Sequence, residues 1–251
     1  LIQTDSGAEL PWPVYDDTTN VGRRLAENTT ASQTDVAVGI RIMKAFMYTS
    51  DEVLVSLQLL QDRPDIAEGI IADALGERIA RIQNTEFTLY GGGDGPLGLV
   101  SATVVGVTAG ATGAVTADEL RNLKYSVNRA YRERPGNCYM MHDQTLRDVL
   151  GLQDGIGRYI FTPDARSGDE PMIWGAPVVA HTDLATTAPG AIAIEYGDLG
   201  SDKIRDVRGF TLLRMEERYA PQLQVSFLGF SRSDGGYINA GQNPIKHLIQ
   251  A

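Results

Sequence analysis

Residues 64–90 read PDIAEGIIADALGERIARIQNTEFTLY, and this stretch decides how the rest of the chain is interpreted. Its apolar residues recur at steps of three to five, which predicts one face of a helix rather than a strand. The residues of this stripe are Ile66, Ile70, Leu75, Ile79, Ile82 and Phe87. Three glycines follow at 91–93, where the left-handed conformation that ends a helix is accessible. We therefore expect an amphipathic helix about 35–40 Å long, with one face on a core and the other on solvent or a neighbouring subunit.

Composition limits the class of protein. The chain has 251 residues, of which 43% are hydrophobic and 22% charged, as in ordinary globular proteins of one or two domains. No apolar run is long enough to predict a membrane span, and residues 1–30 do not resemble a signal peptide. A formal net charge of −10 makes the chain a poor candidate for general nucleic-acid binding, which needs clustered basic residues.

A long hairpin is predicted upstream of the helix. Residues 36–48 alternate between apolar and other residues, as in a half-buried strand, and the polar segment 16–35 precedes them. The simplest arrangement is two strands joined by a polar tip. An isolated two-stranded hairpin is marginally stable in water. A partner surface, supplied by another copy of the chain, is therefore expected.

Downstream, helices and strands are mixed without regular alternation, which indicates the α+β class. Thr116 and Glu119 form a capping box that opens a second helix over 116–134.

The glycines at 93, 95 and 98 match G-x-G-x-x-G, but a helix precedes them and Pro96 interrupts them. A helix terminator is therefore favoured over a phosphate site.

Candidates for catalysis are few. A single cysteine, Cys138, excludes an intrachain disulfide and a cysteine-based zinc cluster. If a strand over 137–141 continues, Cys138 and His142 share one face, which suggests a nucleophile and its base. No third group to orient them is evident, and a buried cysteine is more often a small apolar residue. The pair Asp16 and Asp17 is interpreted as a solvated turn, and no cofactor or metal is expected.

Six segments in a fixed order carry a resemblance to a known family. They are LPWPVYDDTTNVGRRLAENTTASQTDV (10–36), VLVSLQLLQD (53–62), RIQNTEFTLYGGGDGPLGL (81–99), GRYIF (157–161), MIWGAPVV (172–179) and RMEERYAPQLQVSFLGFSRSDGG (214–236). Together they closely resemble the major capsid proteins of tailed bacteriophages, which have the Hong Kong 97-type shell fold. The resemblance spans nearly the whole chain.

The resemblance implies a domain plan. Residues 1–8 are a remnant of the N-terminal arm, 9–50 the extended E-loop, 51–104 the peripheral domain with its spine helix at 64–90, 105–205 the axial domain, and 206–251 the return to the peripheral domain and the C-terminus. It also implies a structural protein rather than an enzyme. Copies are expected to assemble in the host cytoplasm as pentamers and hexamers of an icosahedral virion shell around double-stranded DNA.

The implied partners are other copies of the chain, a portal, a scaffold or protease, and decoration proteins. Contact with packaged DNA is expected to be weak and non-specific, and no membrane is involved. Two other functions are kept open. One is an encapsulin-type nanocompartment, which has the same fold and encloses cargo enzymes. The other is a hydrolase that uses Cys138 and His142.

One departure from the family concerns covalent crosslinking. The founding member joins a Lys on the E-loop to an Asn on a neighbour, helped by a Glu. Here no lysine precedes Lys44, the Asn position falls near 222–224, and the Glu position falls near Ser231. We therefore expect non-covalent contacts alone. The charged residues expected at subunit interfaces are Arg23, Arg24 and Glu27 on the E-loop, and Glu77, Arg78, Arg81, Glu216, Glu217 and Arg218 on the peripheral domain.

Overall fold

The computed structural model describes residues 1–17, 20–62, 64–161, 171–239 and 242–251. In chain order its helices and strands are β1 (Ile2–Thr4), β2 (Leu10–Asp16), β3 (Ala37–Met43), β4 (Phe46–Ser56), α1 (Leu57–Asp62), α2 (Pro64–Leu89), α3 (Leu99–Ala102), β5 (Val104–Thr108), α4 (Ala117–Ser126), α5 (Arg129–Arg132), β6 (Asn137–Met141), α6 (Asp143–Leu150), β7 (Met172–Ile173), β8 (Ala176–Ala180), β9 (Ile192–Asp198), β10 (Asp202–Met215), β11 (Gln224–Tyr237) and β12 (Ile245–Ile249). This mixture confirms the α+β class.

The chain divides into two compact units, each assembled from three separate stretches. The first unit comprises Leu1–Leu10, Ile42–Gly98 and Lys203–Gly236, and the second comprises Pro11–Arg41, Leu99–Asp202 and Tyr237–Ala251. The resemblance implies that residues 206–251 form the return to the peripheral domain and the C-terminus. In the structure, residues 237–251 lie in the second unit, where β12 is held between β5 and β9.

The first unit is built on a four-stranded sheet in the order β1–β10–β11–β4. Strand β1 runs parallel to β10, and β4 runs antiparallel to β11. The small apolar core of this unit is formed by Val55, Leu60, Leu75, Val225 and Phe227. The apolar spacing of residues 50–60 fits either a strand or a helix. In the structure β4 ends at Ser56 and α1 begins at Leu57.

The long helix α2 agrees with the predicted boundaries to within one residue. Its predicted apolar stripe, however, is split. Leu75 and Ile79 are buried, with Ile71 packed against the same core, whereas Ile70 and Ile82 are exposed. Steps of four residues therefore define the buried line, and part of the predicted stripe faces away from this core. The side chain of Ile66 lies outside the described residues.

The second unit contains a six-stranded mixed sheet in the order β5–β12–β9–β6–β8–β7. Two pairs, β12 with β5 and β6 with β8, are parallel. The pairs β12–β9, β6–β9 and β7–β8 are antiparallel. The main core of the unit includes Leu120, Leu123, Tyr139, Met141, Ile173, Ala193, Ile194 and Leu248. The predicted hairpin is also present, as a separate two-stranded sheet of β2 and β3.

The predicted second helix begins as expected but ends early. The Thr116–Glu119 capping box is present, and α4 follows it. Val127 is extended and buried, so the helix stops at Ser126. The Asn128 side chain then accepts a hydrogen bond from the Ala130 N–H at 3.0 Å and caps the short helix α5. Asparagine favours such local capping over a helix interior, which explains the break.

Two further segments differ from what their local sequence favours. The apolar residues at 100–107 favour a strand, but a turn of helix, α3, comes first and β5 begins only at Val104. The charged residues at 197–208 favour a turn, but β10 begins at Asp202 and carries several charged residues within the strand. No helix in the described residues is long and apolar enough to cross a membrane.

Candidate assembly interface

The β2–β3 hairpin exposes an unusual amount of apolar surface. Val38, Ile40 and Ile42 occupy every second position of β3, and their side chains are 68%, 71% and 53% exposed. Alternate residues of a strand lie on one face of the sheet. Tyr15 on β2 is also exposed. A two-stranded ribbon with an uncovered apolar row is poorly stable alone, and such a patch is typical of a protein–protein contact.

The tip of the hairpin presents charged and apolar side chains together. Arg23 donates from Nη2 to the Thr30 carbonyl oxygen at 2.9 Å, while Arg24 and Glu27 are exposed. Val21 is also highly exposed. These three charged residues were predicted to lie at a subunit interface. The structure places them together on the tip, and their intermolecular role stays a prediction. Thr18 and Thr19 lie outside the described residues.

The first unit holds a buried arginine that the sequence analysis missed. The Arg205 side chain is 2% exposed. Its Nε donates to Thr4 Oγ1 at 3.1 Å, and its Nη2 donates to the Ser6 carbonyl oxygen at 2.7 Å. Its Nη1 donates to the carbonyl oxygens of Met43 and Lys44 at 2.9 and 3.1 Å. Arg205 therefore fixes the N-terminal strand and the last residue of the hairpin to one point.

A carboxylate completes this anchor. Asp234 Oδ2 accepts a hydrogen bond from the Lys44 N–H at 2.5 Å. Together, Arg205 and Asp234 bind both backbone polar groups of Lys44. The backbone of Met43 and Lys44, where β3 ends, is therefore held by side chains of the first unit. Little in the sequence indicates that Arg205 is buried. Val207, two residues later in β10, lies on the same face of the strand and is also buried.

The charged residues predicted on the long helix lie on its exposed side. Glu77 and Arg81, one helical turn apart, form an ion pair of 2.7 Å. Arg78 is exposed beside them. Exposed pairs at this spacing stabilise a helix by only about 0.3–0.5 kcal/mol. Glu77 and Arg81 can therefore each pair with a charge on another molecule at a small cost in free energy.

The charged residues predicted between β10 and β11 are partly engaged within the chain. Glu216 pairs with Arg214 at 2.9 Å, and Arg218 lies 3.7 Å from Glu52. Glu217 is exposed. The Glu52 carboxyl has a lowered pKa, chiefly because the Ser226 hydroxyl donates to it at 2.5 Å. Glu52 thus gives Arg218 an intramolecular partner, which the sequence did not reveal.

A shallow groove of about 290 Å³ lies between α2 and the start of β4 in the first unit. Exposed apolar side chains of Met47, Ile82 and Tyr90 line it. Glu86 and Asp94 give it negative charge, and Glu86 Oε2 also accepts a hydrogen bond from the Tyr48 hydroxyl at 2.8 Å. The groove is therefore apolar and acidic, whereas the hairpin tip is apolar and carries two arginines.

Cys138 and His142 do not form a catalytic pair. Strand β6 ends at Met141, so His142 leaves the strand and caps α6, where its Nδ1 accepts from the Gln144 N–H at 3.0 Å. Asp143 is the first residue of this helix rather than its cap. Burial, with a smaller effect of Asp198, raises the pKa of the Cys138 thiol to about 11. A thiol of that pKa is protonated at neutral pH and weakly nucleophilic.

Metal binding has no support in the described part of the chain, where no three His, Cys, Asp or Glu side chains are grouped to hold an ion.

Comparisons with known proteins point to one family. The model of the phage capsid family matches residues 1–248. The capsid of a native GTA particle matches all of this chain and 87% of its own, with a TM-score of 0.82 and 22% identity. A chain of Mycobacterium phage Adephagia matches over the same shares, with a TM-score of 0.70 and 13% identity. A search of curated proteins finds no significant match. Because both sequence identities are below 25%, these structural matches establish the fold alone.

Proposed function

The chain belongs to the phage capsid family, and from this premise we propose that its copies assemble as pentamers and hexamers into an icosahedral shell around packaged double-stranded DNA. It is a structural capsid protein of the virion, with the Hong Kong 97-type fold. We place its assembly in the host cytoplasm. The observation that supports the shell most directly is the exposed apolar row of the hairpin, which needs a second subunit to cover it.

The domain names follow as proposals. Residues 42–98 with 203–236 of the first unit correspond to the peripheral domain, and residues 99–202 with 237–251 correspond to the axial domain. The β2–β3 hairpin corresponds to the E-loop, and residues 1–8 to part of the N-terminal arm. Portal, scaffold or protease, and decoration proteins are the further partners that we infer from family membership.

Weak contact with the genome agrees with the charge of the chain. Double-stranded DNA binds proteins chiefly through lysine and arginine at its phosphates. With a formal net charge of −10, the subunit offers no overall attraction to DNA. A shell of such subunits is expected to enclose a genome without binding it tightly.

Negative-stain electron microscopy of the purified protein tests the proposal. Closed icosahedral particles, or rings of five and six subunits, are the expected result. A homogeneous small oligomer with no tendency to assemble would contradict it. The encapsulin-type alternative predicts the same particles filled with protein, so nuclease-resistant DNA in the particles distinguishes the two functions.

We infer that the hairpin tip binds the acidic groove of an adjacent subunit. The tip offers Val21 and Leu25 as apolar groups with Arg23 and Arg24 as cations. The groove offers apolar walls with the carboxylates of Glu86 and Asp94. Opposite charges at the rim of an apolar contact favour one partner and one orientation.

Reversing the charge of Arg23 and Arg24 to glutamate is expected to raise the concentration required for assembly by up to about thirtyfold, because two exposed pairs of about 0–1 kcal/mol each are lost. Light scattering against protein concentration measures this change. The effect should shrink at high salt, which screens exposed charges.

The matched control is the triple variant that adds Asp94→Lys to the two reversals. If the tip meets the groove, this third change restores part of the lost assembly. Equal assembly of the wild type and the double variant at low salt would contradict the contact.

Shells of this protein are expected to contain no covalent crosslinks. The first lysine in the chain is Lys44, and its backbone is fixed at the base of the hairpin. Boiled particles should therefore run on a denaturing gel as one band at the mass of a single subunit. A ladder of covalent oligomers would show that another residue pair performs the crosslinking.

A further inference from the structure

A glutamate is buried at the centre of the six-stranded sheet of the second unit. Glu195 lies in β9, directly between Met140 on β6 and His247 on β12. It has no exposed surface. The apolar cluster that contains Met140 also includes Leu99, Leu184, Tyr237 and Ile245. An ionised carboxylate in such surroundings is unfavourable unless a cation or several donors accompany it.

The hydrogen bonds of Glu195 satisfy only one of its oxygens. Thr103 Oγ1 lies 3.0 Å from Glu195 Oε1 and 2.9 Å from His247 Nδ1. The hydroxyl donates its single proton to Glu195 Oε1 and therefore accepts from His247 Nδ1. Glu195 Oε2 has no partner among the residues that the structure describes. A single donor does not compensate for the burial of a carboxylate, so the network suits a neutral Glu195.

The titratable groups around Glu195 do not supply a compensating cation. They are His247 on β12, Cys138 on β6, Tyr237 at the end of β11 and Asp202 at the start of β10. Burial lowers the pKa of His247, which keeps that imidazole neutral. Burial raises the pKa of Glu195 to about 7, against a smaller opposing effect of the Thr103 hydrogen bond and with a contribution from the charge of Asp202.

Two segments of the second unit meet near Glu195. One begins at Leu99 and the other at Tyr237. Both of these residues pack in the apolar cluster that contains Met140. Thr103 belongs to the first segment and His247 to the second. A charge at Glu195 would therefore arise beside residues of both segments.

We propose that Glu195, Thr103 and His247 form a proton-dependent latch, which holds residues 99–108 and 237–249 in place within the second unit while Glu195 is protonated and loosens them when it ionises. These two segments would then open locally more often as the pH rises. The proposal requires no partner and does not depend on the proposed shell.

The direction of the pH dependence follows from the raised pKa. Between the ordinary pKa of 4.5 and about 7, the closed unit retains a proton that the opened unit releases. Closure is therefore strongest below pH 4.5. It weakens by about tenfold in the closed-to-open ratio for each pH unit up to about 7, and it changes little above that.

Hydrogen exchange measured by mass spectrometry on the full-length protein tests the latch. Protection of peptides covering 99–108 and 237–249, corrected for the intrinsic pH dependence of exchange, should fall about tenfold per unit between about pH 5 and pH 7. In Glu195→Gln the same peptides should stay protected with no such slope. Glu133→Gln, which removes an exposed carboxylate of α5, is the control and should behave as the wild type. A Glu195→Gln variant that keeps the wild-type slope would overturn the proposal.

Thr103→Val provides a second test that does not depend on the folding of Glu195→Gln. Removing the hydroxyl takes away the one hydrogen bond that favours ionised Glu195. The slope should therefore continue above pH 7. A Thr103→Val variant with lower protection at every pH and an unchanged slope would show that the network is only structural, and would refute the latch.

Discussion

Replacing Ile40 and Ile42 by serine is expected to raise the protein concentration needed for particle formation by roughly 30- to 1,000-fold, without unfolding the subunit. Both side chains are more than half exposed in the single chain. Their burial can therefore contribute little to the fold of one subunit and much to the contact between two.

The magnitude follows from the surface that assembly would cover. Fully burying an isoleucine side chain is worth about 1.5–3 kcal/mol. Because each of these side chains is already partly covered, we expect about 1–2 kcal/mol from each, or about 2–4 kcal/mol for each hairpin contact. A shell repeats the contact in every subunit, so its loss should abolish particles at concentrations where the wild type assembles.

Ile156→Ser is the matched control for this prediction. Ile156 is 80% exposed in a turn of the second unit, where the Asp154 side chain holds the backbone. Sedimentation or light scattering gives the critical concentration, and circular dichroism on heating shows whether each variant is folded. If the double serine variant assembles like Ile156→Ser, the apolar row of the hairpin is not a subunit contact.

Local patterns were sufficient to predict several elements. The long helix, the capping box at Thr116 and the hairpin are each specified by residues close together in the chain. Periodicity and capping are short-range signals, so a single sequence conveys them. The same periodicity did not separate Ile71 from Ile70, because it cannot tell which of two adjacent apolar residues meets the core.

The buried polar residues could not be predicted in this way. Arg205 is buried because β1 and the end of β3 close over it, and the residues that it binds there lie 201 and 162 positions earlier in the chain. Glu195 is buried because β12, fifty residues later, pairs with β9. In both cases the local sequence favours an exposed charged residue, and strands distant in the chain bury it. The pairing of distant strands depends on tertiary packing rather than on local sequence.

The charged residues predicted at the interface illustrate the same limit. Their exposure on the helix and the hairpin tip could be anticipated from sequence, since charged residues mostly lie on surfaces. The intramolecular partner of Arg218 could not, because Glu52 reaches it from a different strand. A pattern of charges alone therefore does not separate residues that bind another subunit from residues already paired within their own.

Arg205→Met is expected to destabilise the first unit by about 3–5 kcal/mol, because it leaves several buried or partly buried acceptors without their charged donor, each at a cost of about 1–3 kcal/mol. Methionine fills much of the same volume but donates no hydrogen bond. The carbonyl oxygens of Ser6, Met43 and Lys44 would each lose the donor that Arg205 provides. The base of the hairpin and the N-terminal strand would lose their common anchor.

Thermal melting and urea denaturation of Arg205→Met measure this loss. For a chain of this length, we expect a fall of about 6–20 °C in melting temperature. Arg208→Met is the matched control, because the exposed Arg208 donates one described hydrogen bond, to the Asp5 carbonyl oxygen at 2.8 Å, and its loss should cost about 1 kcal/mol or less.

Arg205→Lys separates charge from geometry. Lysine retains the positive charge, but its single ammonium group cannot reproduce the planar fork that reaches four oxygens on separate segments. We therefore expect a stability between those of the wild type and Arg205→Met. If Arg205→Met melts within the range of Arg208→Met, the hairpin base is held by the Asp234–Lys44 hydrogen bond and the surrounding strands, and Arg205 is not its anchor.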